Sequence, residues 1–239
     1  MQLEYLNGIR VHKHYYEMTP LEAAIENYET QAKKHHTSED TSNLTKTERE
    51  KKLKESLDFL GKERMKLEKT IEVQSLLEAY RAEGNKAITG TKQEAKKAVA
   101  RMTSEDHHPT ELLEKLMRAE GTPKPSRHHT AHHILPGSGQ YRQALISTAR
   151  VHMHLNGIRI NDPANGVYLV TVDKNTPHWS MPKSRGHLKY HTAAYEEWTS
   201  RKVVALKGID RIKTQLQIIG RLLQQNEPKA AINKIQSLR

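Results

Sequence analysis

Nine histidines lie between His128 and Trp198, and three pieces of that stretch have spacings that carry chemical meaning. The first is Ala131-His132-His133-Ile134-Leu135-Pro136, a vicinal pair on a short apolar segment. Neighbouring side chains of a strand point to opposite faces, so the two imidazoles are expected to do different work. One can face a metal while the other faces a substrate from the adjoining position. The second piece runs from Asn161 to Val170, a Pro- and Asn-rich turn entering a β-type run. The third is His187-Leu188-Lys189-Tyr190-His191, followed by a helical stretch through Tyr195 and Trp198. Read as helix, it sets His187 and His191 on one face, where they can grip a single ion. Each signal alone is weak, because the chain has four vicinal His pairs (35–36, 107–108, 128–129 and 132–133). Their order within about 60 residues gives them weight: strand pair, Asn-Gly turn and strand, then His-x3-His.

The rest of the composition narrows the chemistry. There is no cysteine among the 239 residues, which removes disulfides, thiol nucleophiles and cysteine-ligated zinc together. Any metal must be held by the 15 histidines, by carboxylates or by both. Charge is unevenly placed. Residues 1–120 hold 21 Lys and Arg against 22 Asp and Glu, whereas residues 121–239 hold 18 against 6, a net of +12. A basic half of this kind suits a polyanion, because neutralised phosphates release their counterions. No run of about eighteen apolar residues suggests a membrane span, and the N-terminus lacks the apolar core of a signal peptide.

Helices must position these groups. Thr19-Pro20-Leu21-Glu22 combines an N-cap, a Pro at the first helical position and a capping-box Glu, and predicts a helix to about Lys34. His35–Asn43 reads as a polar loop. Thr45-Lys46-Thr47-Glu48 opens a long charged helix ending near Gly84; Thr91-Lys92-Gln93-Glu94 opens a third, and Pro109 a fourth that ends at Gly121. Their sparse apolar stripes predict a helical hairpin or coiled-coil-like arm. His107-His108 is expected to be capping or solvated. The linker Gly121–Ser126 marks the domain boundary. Beyond the histidines, Ile209, Ile212, Leu216, Ile219 and Leu223 form a helical stripe, and Ile232, Ile235 and Leu238 a second one after Pro228. Leu6-Asn7-Gly8-Ile9-Arg10 recurs as Leu155-Asn156-Gly157-Ile158-Arg159, which reads as a shared helix-stop turn, not as a duplication.

The segment from about 127 to 205 resembles the HNH/endonuclease VII superfamily with its ββα-metal (His-Me finger) fold, and more narrowly its AHH branch, found as toxin domains of bacterial polymorphic toxin systems. Ala131-His132-His133 matches the motif that names the branch, Asn165-Gly166-Val167 its central Asn, and His187 with His191 its closing pair; Tyr195 also fits. The resemblance implies that His132, His187 and His191 bind one divalent cation (zinc, nickel, magnesium or manganese) and that His133 is the general base. It implies that Asn165 holds the loop so that a hydrogen bond fixes the His133 tautomer. Arg127, Arg185 and Lys189 flank the site and are candidates for holding substrate phosphates. Their other reading is solvated surface charge.

The expected architecture is mainly α with a small α+β nuclease core: an N-terminal helical arm or adaptor (1–120), an AHH-type HNH core (121–206) and a C-terminal helical hairpin packed on the core (207–239). The expected function is a metal-dependent endonuclease acting on DNA, an antibacterial toxin neutralised by an acidic cognate immunity protein. It would be exported without a classical signal peptide, with residues 1–120 as a contact for a secretion apparatus, and would act in the target-cell cytoplasm. The alternatives are an RNase with the same site and a non-catalytic nucleic-acid-binding module stabilised by metal.

Overall fold

A computed structural model of the chain describes residues 5–6, 9–10, 14–37 and 44–227. Two short strands, β1 (Tyr5–Leu6) and β2 (Ile9–Arg10), pair antiparallel. Four helices follow: α1 (Pro20–Thr37), α2 (Lys46–Thr89), α3 (Lys92–Thr103) and α4 (Glu111–Ala119). Strand β3 (His129–His133) comes next, then α5 (Gln143–Leu155), strand β4 (Gly166–Val170), α6 (Ala193–Val204) and α7 (Ile209–Gln224). The protein is thus mostly helical with a small two-stranded sheet, as expected. No described helix is long and apolar enough to cross a membrane.

The helix starts obey local chemistry. At Thr19, Thr45 and Thr91 the threonine hydroxyl accepts the backbone N–H three residues on, while the Glu there accepts the threonine N–H at 2.7, 2.9 and 2.8 Å. Each box satisfies two donors that a helix start otherwise leaves open. Two ends differ from expectation. Helix α1 runs to Thr37, with 38–43 outside the described residues, and α2 continues past Gly84 to Thr89. Gly84 is no stop signal; a Cβ there would stand 2.4 Å from the Gly157 carbonyl oxygen, so the glycine permits close packing.

The chain divides into two compact units. One holds residues up to Ser75 with Ala119–Gly121. In it α1 and α2 run antiparallel, joined by Asn27 to Glu63 at 3.3 Å and by His35 to Ser56. The other holds Leu76–Arg118 and the chain from Thr122 onward. The chain thus changes unit after Ser75 and again on either side of Ala119–Gly121, next to the expected linker. Arg150, buried on α5, donates to the Met102 and Glu105 carbonyls at the end of α3 and to the Gly137 carbonyl. Asp162 pairs with Arg81 at 3.2 Å. These bonds tie residues 76–105 into the second unit.

In that unit β3 and β4 pair antiparallel, with His132 opposite Val167 and His133 opposite Gly166. One face of this ladder meets the main core, where Val167 and Leu169 pack with Ile146, Met153, Tyr195, Trp198, Ile212, Leu216 and Ile219. The α7 stripe is buried as its spacing predicts, each such side chain contributing roughly 1.5–3 kcal/mol. The other face, Ala131 and Tyr168, packs on Leu113 and Met117 of α4. The second stripe, Ile232 to Leu238, lies outside the described residues, and with it half of the expected C-terminal hairpin. Of the repeated pentapeptide, the second copy ends α5, with Gly157 at φ +77. In the first, Leu6 belongs to β1 and Ile9–Arg10 form β2, so the two copies do not share a helix stop.

His154 of α5 is fully buried, and neither ring nitrogen has a partner among the described residues. Burial, with Arg150 and Arg159 nearby, pushes its pKa from 6.5 down to about 3. Between those values the unfolded chain binds more protons than the native state. This share of stability is therefore whole above pH 6.5 and is lost as pH falls toward 3. Denaturant titrations should show a loss of about 2 kcal/mol from this residue on going from neutral pH to about pH 5. His154→Leu should flatten the slope by that amount; an unchanged slope would contradict the assignment.

Candidate active site

Strand alternation parts the vicinal histidines. His132 projects to the side of the main core, where its ring centroid lies 5.2 Å from that of His191 and 6.4 Å from that of His187; the latter two are 5.9 Å apart. Its Nε2 is sealed from solvent, without a hydrogen-bond partner among the described residues. Burial, then the neighbouring rings of His191, His133 and His187, pushes the His132 pKa well down, so its imidazole is neutral. His187 is oriented by its Nδ1, 2.9 Å from the Thr171 carbonyl oxygen, so Nδ1 carries the proton and Nε2 is left with its lone pair.

His133 projects the other way. Its Nε2 lies 2.9 Å from Asn161 Oδ1, and its ring centroid is 6.1 Å from His107 and 6.2 Å from His108. Burial is the main cause that lowers its pKa to about 4. Both faces open on one cleft of about 450 Å³, whose walls include His107, His108, His132, His133, His187 and His191. His107 lies against Gly137, where a Cβ would stand 2.1 Å from the ring, so only glycine admits it. Glu196, the carboxylate of the cleft, accepts the backbone N–H groups of Gln140, Tyr141 and Arg142 at 2.7, 3.0 and 2.6 Å. It holds the loop that enters α5 at the positive end of the helix.

Residues 113–237, just over half of the chain, match the AHH family, described as a nuclease family of the HNH/ENDO VII superfamily with conserved AHH. The chain belongs to the AHH nuclease family. No curated protein and no solved structure matches it.

Nucleases of this superfamily generally use a divalent metal, and the donor set beside the AHH motif fits one. The orphaned, buried Nε2 of His132 is a polar atom that needs a partner. Three imidazoles sharing one ion at about 2.1 Å have centroids roughly 5.3 Å apart. The His132–His191 pair is at that spacing, and the other two pairs must close by up to on the order of 1 Å. Among the described residues no three side chains stand at ligating distance already.

The expected helical His187–His191 pair is differently built. His187–Tyr190 is a 3-10 turn, and α6 starts only at Ala193, capped by the Thr192 hydroxyl that accepts the Tyr195 N–H at 3.2 Å. The turn is anchored by Asp173, which accepts the Gly186 N–H at 2.7 Å and pairs with Arg185 at 3.1 Å. Arg185 is thus engaged with a carboxylate, and Lys189 lies 3.9 Å from the same group. Arg127 is exposed, with Nε 3.3 Å from His128 Nε2. None of these three cations forms the cleft wall.

Asn165 is completely buried and bonds only backbone: its Oδ1 accepts the Leu135 N–H at 2.8 Å, and its Nδ2 donates to the Leu135 and Ile160 carbonyls at 3.1 and 3.0 Å. These bonds join the loop to the strand exit, and the amide that touches the His133 ring belongs to Asn161. Tyr195 clamps the same strand exit, its hydroxyl donating to the Ile134 carbonyl at 2.6 Å. Sequence reasoning missed Asn161, Glu196 and the pair His107-His108. The last carried a visible signal, a vicinal His pair, but its approach to His133 depends on tertiary packing. His129 packs edge-on against His178 at 4.5 Å, and His152 Nε2 donates to the Leu206 carbonyl, so these three have structural partners.

Asn165→Ala removes three buried bonds to backbone, which should lower unfolding stability by roughly 2–4 kcal/mol. Urea denaturation followed by circular dichroism measures it; a change below about 1 kcal/mol would show that the loop does not depend on the amide.

Proposed function

We propose that this chain is a metal-dependent endonuclease hydrolysing phosphodiester bonds in DNA, and that it acts as an antibacterial toxin restrained by an immunity protein. One observation carries the reading: adjacent histidines of the AHH motif open on the same cleft with different company. His132 stands among imidazoles, and His133 stands on an amide. A group of neutral donors suits a cation, whereas a neutral imidazole with one ring nitrogen bonded suits proton transfer.

His132, His187 and His191 would hold the ion. The chemistry that a divalent ion supplies there is undiminished positive charge beside the scissile phosphate, because three neutral ligands cancel none of it. His133 takes the proton of the attacking water as the new phosphorus–oxygen bond forms and the bond to the leaving oxygen breaks. Its lowered pKa keeps it unprotonated at neutral pH, and an arriving anionic phosphate raises its basicity toward the useful range. His107 and His108 on the opposite wall confine the water and exclude bulk solvent.

The basic bias of residues 121–239, +12, supports a polyanionic substrate and an acidic immunity protein. Toxin action in a target-cell cytoplasm and DNA in preference to RNA rest on the resemblance to toxin domains. Phosphate contacts by Arg127, Arg185 and Lys189 rest on their places in the sequence beside the site, and a secretion-apparatus contact through residues 1–120 rests on the helical character of that region, which the resemblance does not cover.

Purified protein should degrade plasmid DNA, and a chelator should stop it. His133→Ala should lower cleavage by on the order of 10²–10⁴ with metal content retained, while His132→Ala and His191→Ala should lose the metal itself. Cleavage undiminished in His133→Ala would sink the role given to it. Side-by-side digestion of total RNA decides the substrate; faster loss of RNA would replace the DNA reading.

A further inference from the structure

Asn161 is almost wholly buried, and every polar atom of its side chain is committed. Its Nδ2 donates both hydrogens, one to Glu105 Oε1 and one to the Asp106 carbonyl, each at 2.9 Å. Both partners are acceptors only, so the amide has a single orientation: reversing it would face oxygen against oxygen twice. Oδ1 is therefore the atom 2.9 Å from His133 Nε2, and Nε2 must carry the proton. Among the described residues the one side-chain hydrogen bond of His133 is at Nε2; Nδ1 is not among the sealed atoms left without a partner, and its lone pair is left for the cleft that His133 lines.

Glu105 is itself fixed. Tyr80 donates its hydroxyl to Oε1, and Arg159 donates to Oε2 at 2.9 Å while its guanidinium lies 3.8 Å above the Tyr80 ring. The Tyr80 hydroxyl also accepts the Asn161 backbone N–H at 2.9 Å. Burial, then the charge of Glu105, raises the Tyr80 pKa, which keeps that hydroxyl protonated and donating. Tyr80 and Glu105 both precede the residues that match the family.

We infer that Tyr80, Glu105 and Asn161 form a relay of positioning residues that holds His133 as its Nε2–H tautomer, so that Nδ1 is the nitrogen that takes the proton. The relay rests on the nuclease reading only for its use; the tautomer itself follows from the bonding. No charge moves along it. Its effect is to keep the lone pair of His133 on the atom that faces the cleft, since the opposite tautomer would place two acceptors against each other at Asn161.

Nitrogen-15 NMR of histidine-labelled full-length protein, without metal, reads the tautomer directly, with His133 identified by its loss in His133→Gln. The wild type should show Nε2–H at neutral pH. Asn161→Leu should abolish the preference. Glu105→Ala should shift it partway, because the Asp106 carbonyl still anchors the amide. On metal-loaded protein, Asn161→Leu should lower kcat on the order of ten- to a hundredfold with KM nearly unchanged. A wild-type His133 found as Nδ1–H, or a tautomer unmoved in Asn161→Leu, would overturn the inference even if the protein cuts DNA. A protein that cuts neither DNA nor RNA, yet shows the expected tautomers, would remove the nuclease reading and leave the relay standing.

Discussion

Consecutive side chains on a strand cannot share a face, and this constraint organises the second unit of the protein. His132 and His133 stand on β3 between two different environments, and the ladder with β4 decides which residue meets which. With His132 opposite Val167 and His133 opposite Gly166, one imidazole enters the side of the main core and the other the side of α3 and α4. A slip of one residue in that register would exchange them. The clamps at the strand exit, Tyr195 on the Ile134 carbonyl and Asn165 on both backbone groups of Leu135, pin the register where the histidines end.

The electrostatics follow from the same partition. Imidazoles crowded together in a buried place disfavour each other's protonated forms, and desolvation adds to that penalty. His132, His133 and His191 all have lowered pKa values, with burial the largest cause of each. The one carboxylate on the cleft wall, Glu196, has its oxygens directed at three backbone N–H groups. With the protonated forms of His132, His133 and His191 disfavoured, the cleft presents imidazole lone pairs and is receptive to a cation. Burial, the largest cause at each of these rings, is also the largest at His154 outside the cleft, and at every such histidine it costs stability in acid.

Local chemistry was legible in the sequence; three-dimensional company was not. The three capping boxes, the α7 stripe and the alternation at the AHH motif are read from spacing alone, because neighbours within a turn or a strand are fixed by backbone geometry. The His187–His191 pair was recognisable, but its helix was not real: Thr192 caps α6 after the second histidine, and Asp173 holds the turn before it. Asn161 and Asn165 lie in the same Pro-rich turn. The 3-10 turn Pro163–Asn165, capped by Asp162, directs Asn165 to backbone and leaves Asn161 facing the His133 ring. Spacing does not separate such neighbours. His107 and His108 reach the cleft because Arg150 ties the end of α3 to α5, an interaction spanning 48 residues.

The segment that matches the family starts at residue 113, yet the compact unit that contains it starts at Leu76. The difference has a physical reason. A two-stranded ladder cannot bury both of its faces by itself. Helices α5–α7 cover the His132 side from within the matched segment, and α4 covers Ala131 and Tyr168 from its edge. The His133 end remains, and it holds polar groups that must be satisfied once water is excluded. Asn161 can meet His133 only if its own amide hydrogens have acceptors, and those come from Glu105 and Asp106. Glu105 in turn is held by Tyr80 of α2 and by Arg159. Covering a face that holds polar groups with a polar relay demands a longer chain than covering an apolar one with a helix. Residues 76–112 therefore belong to the compact unit that holds the matched segment, and supply part of the wall of its cleft.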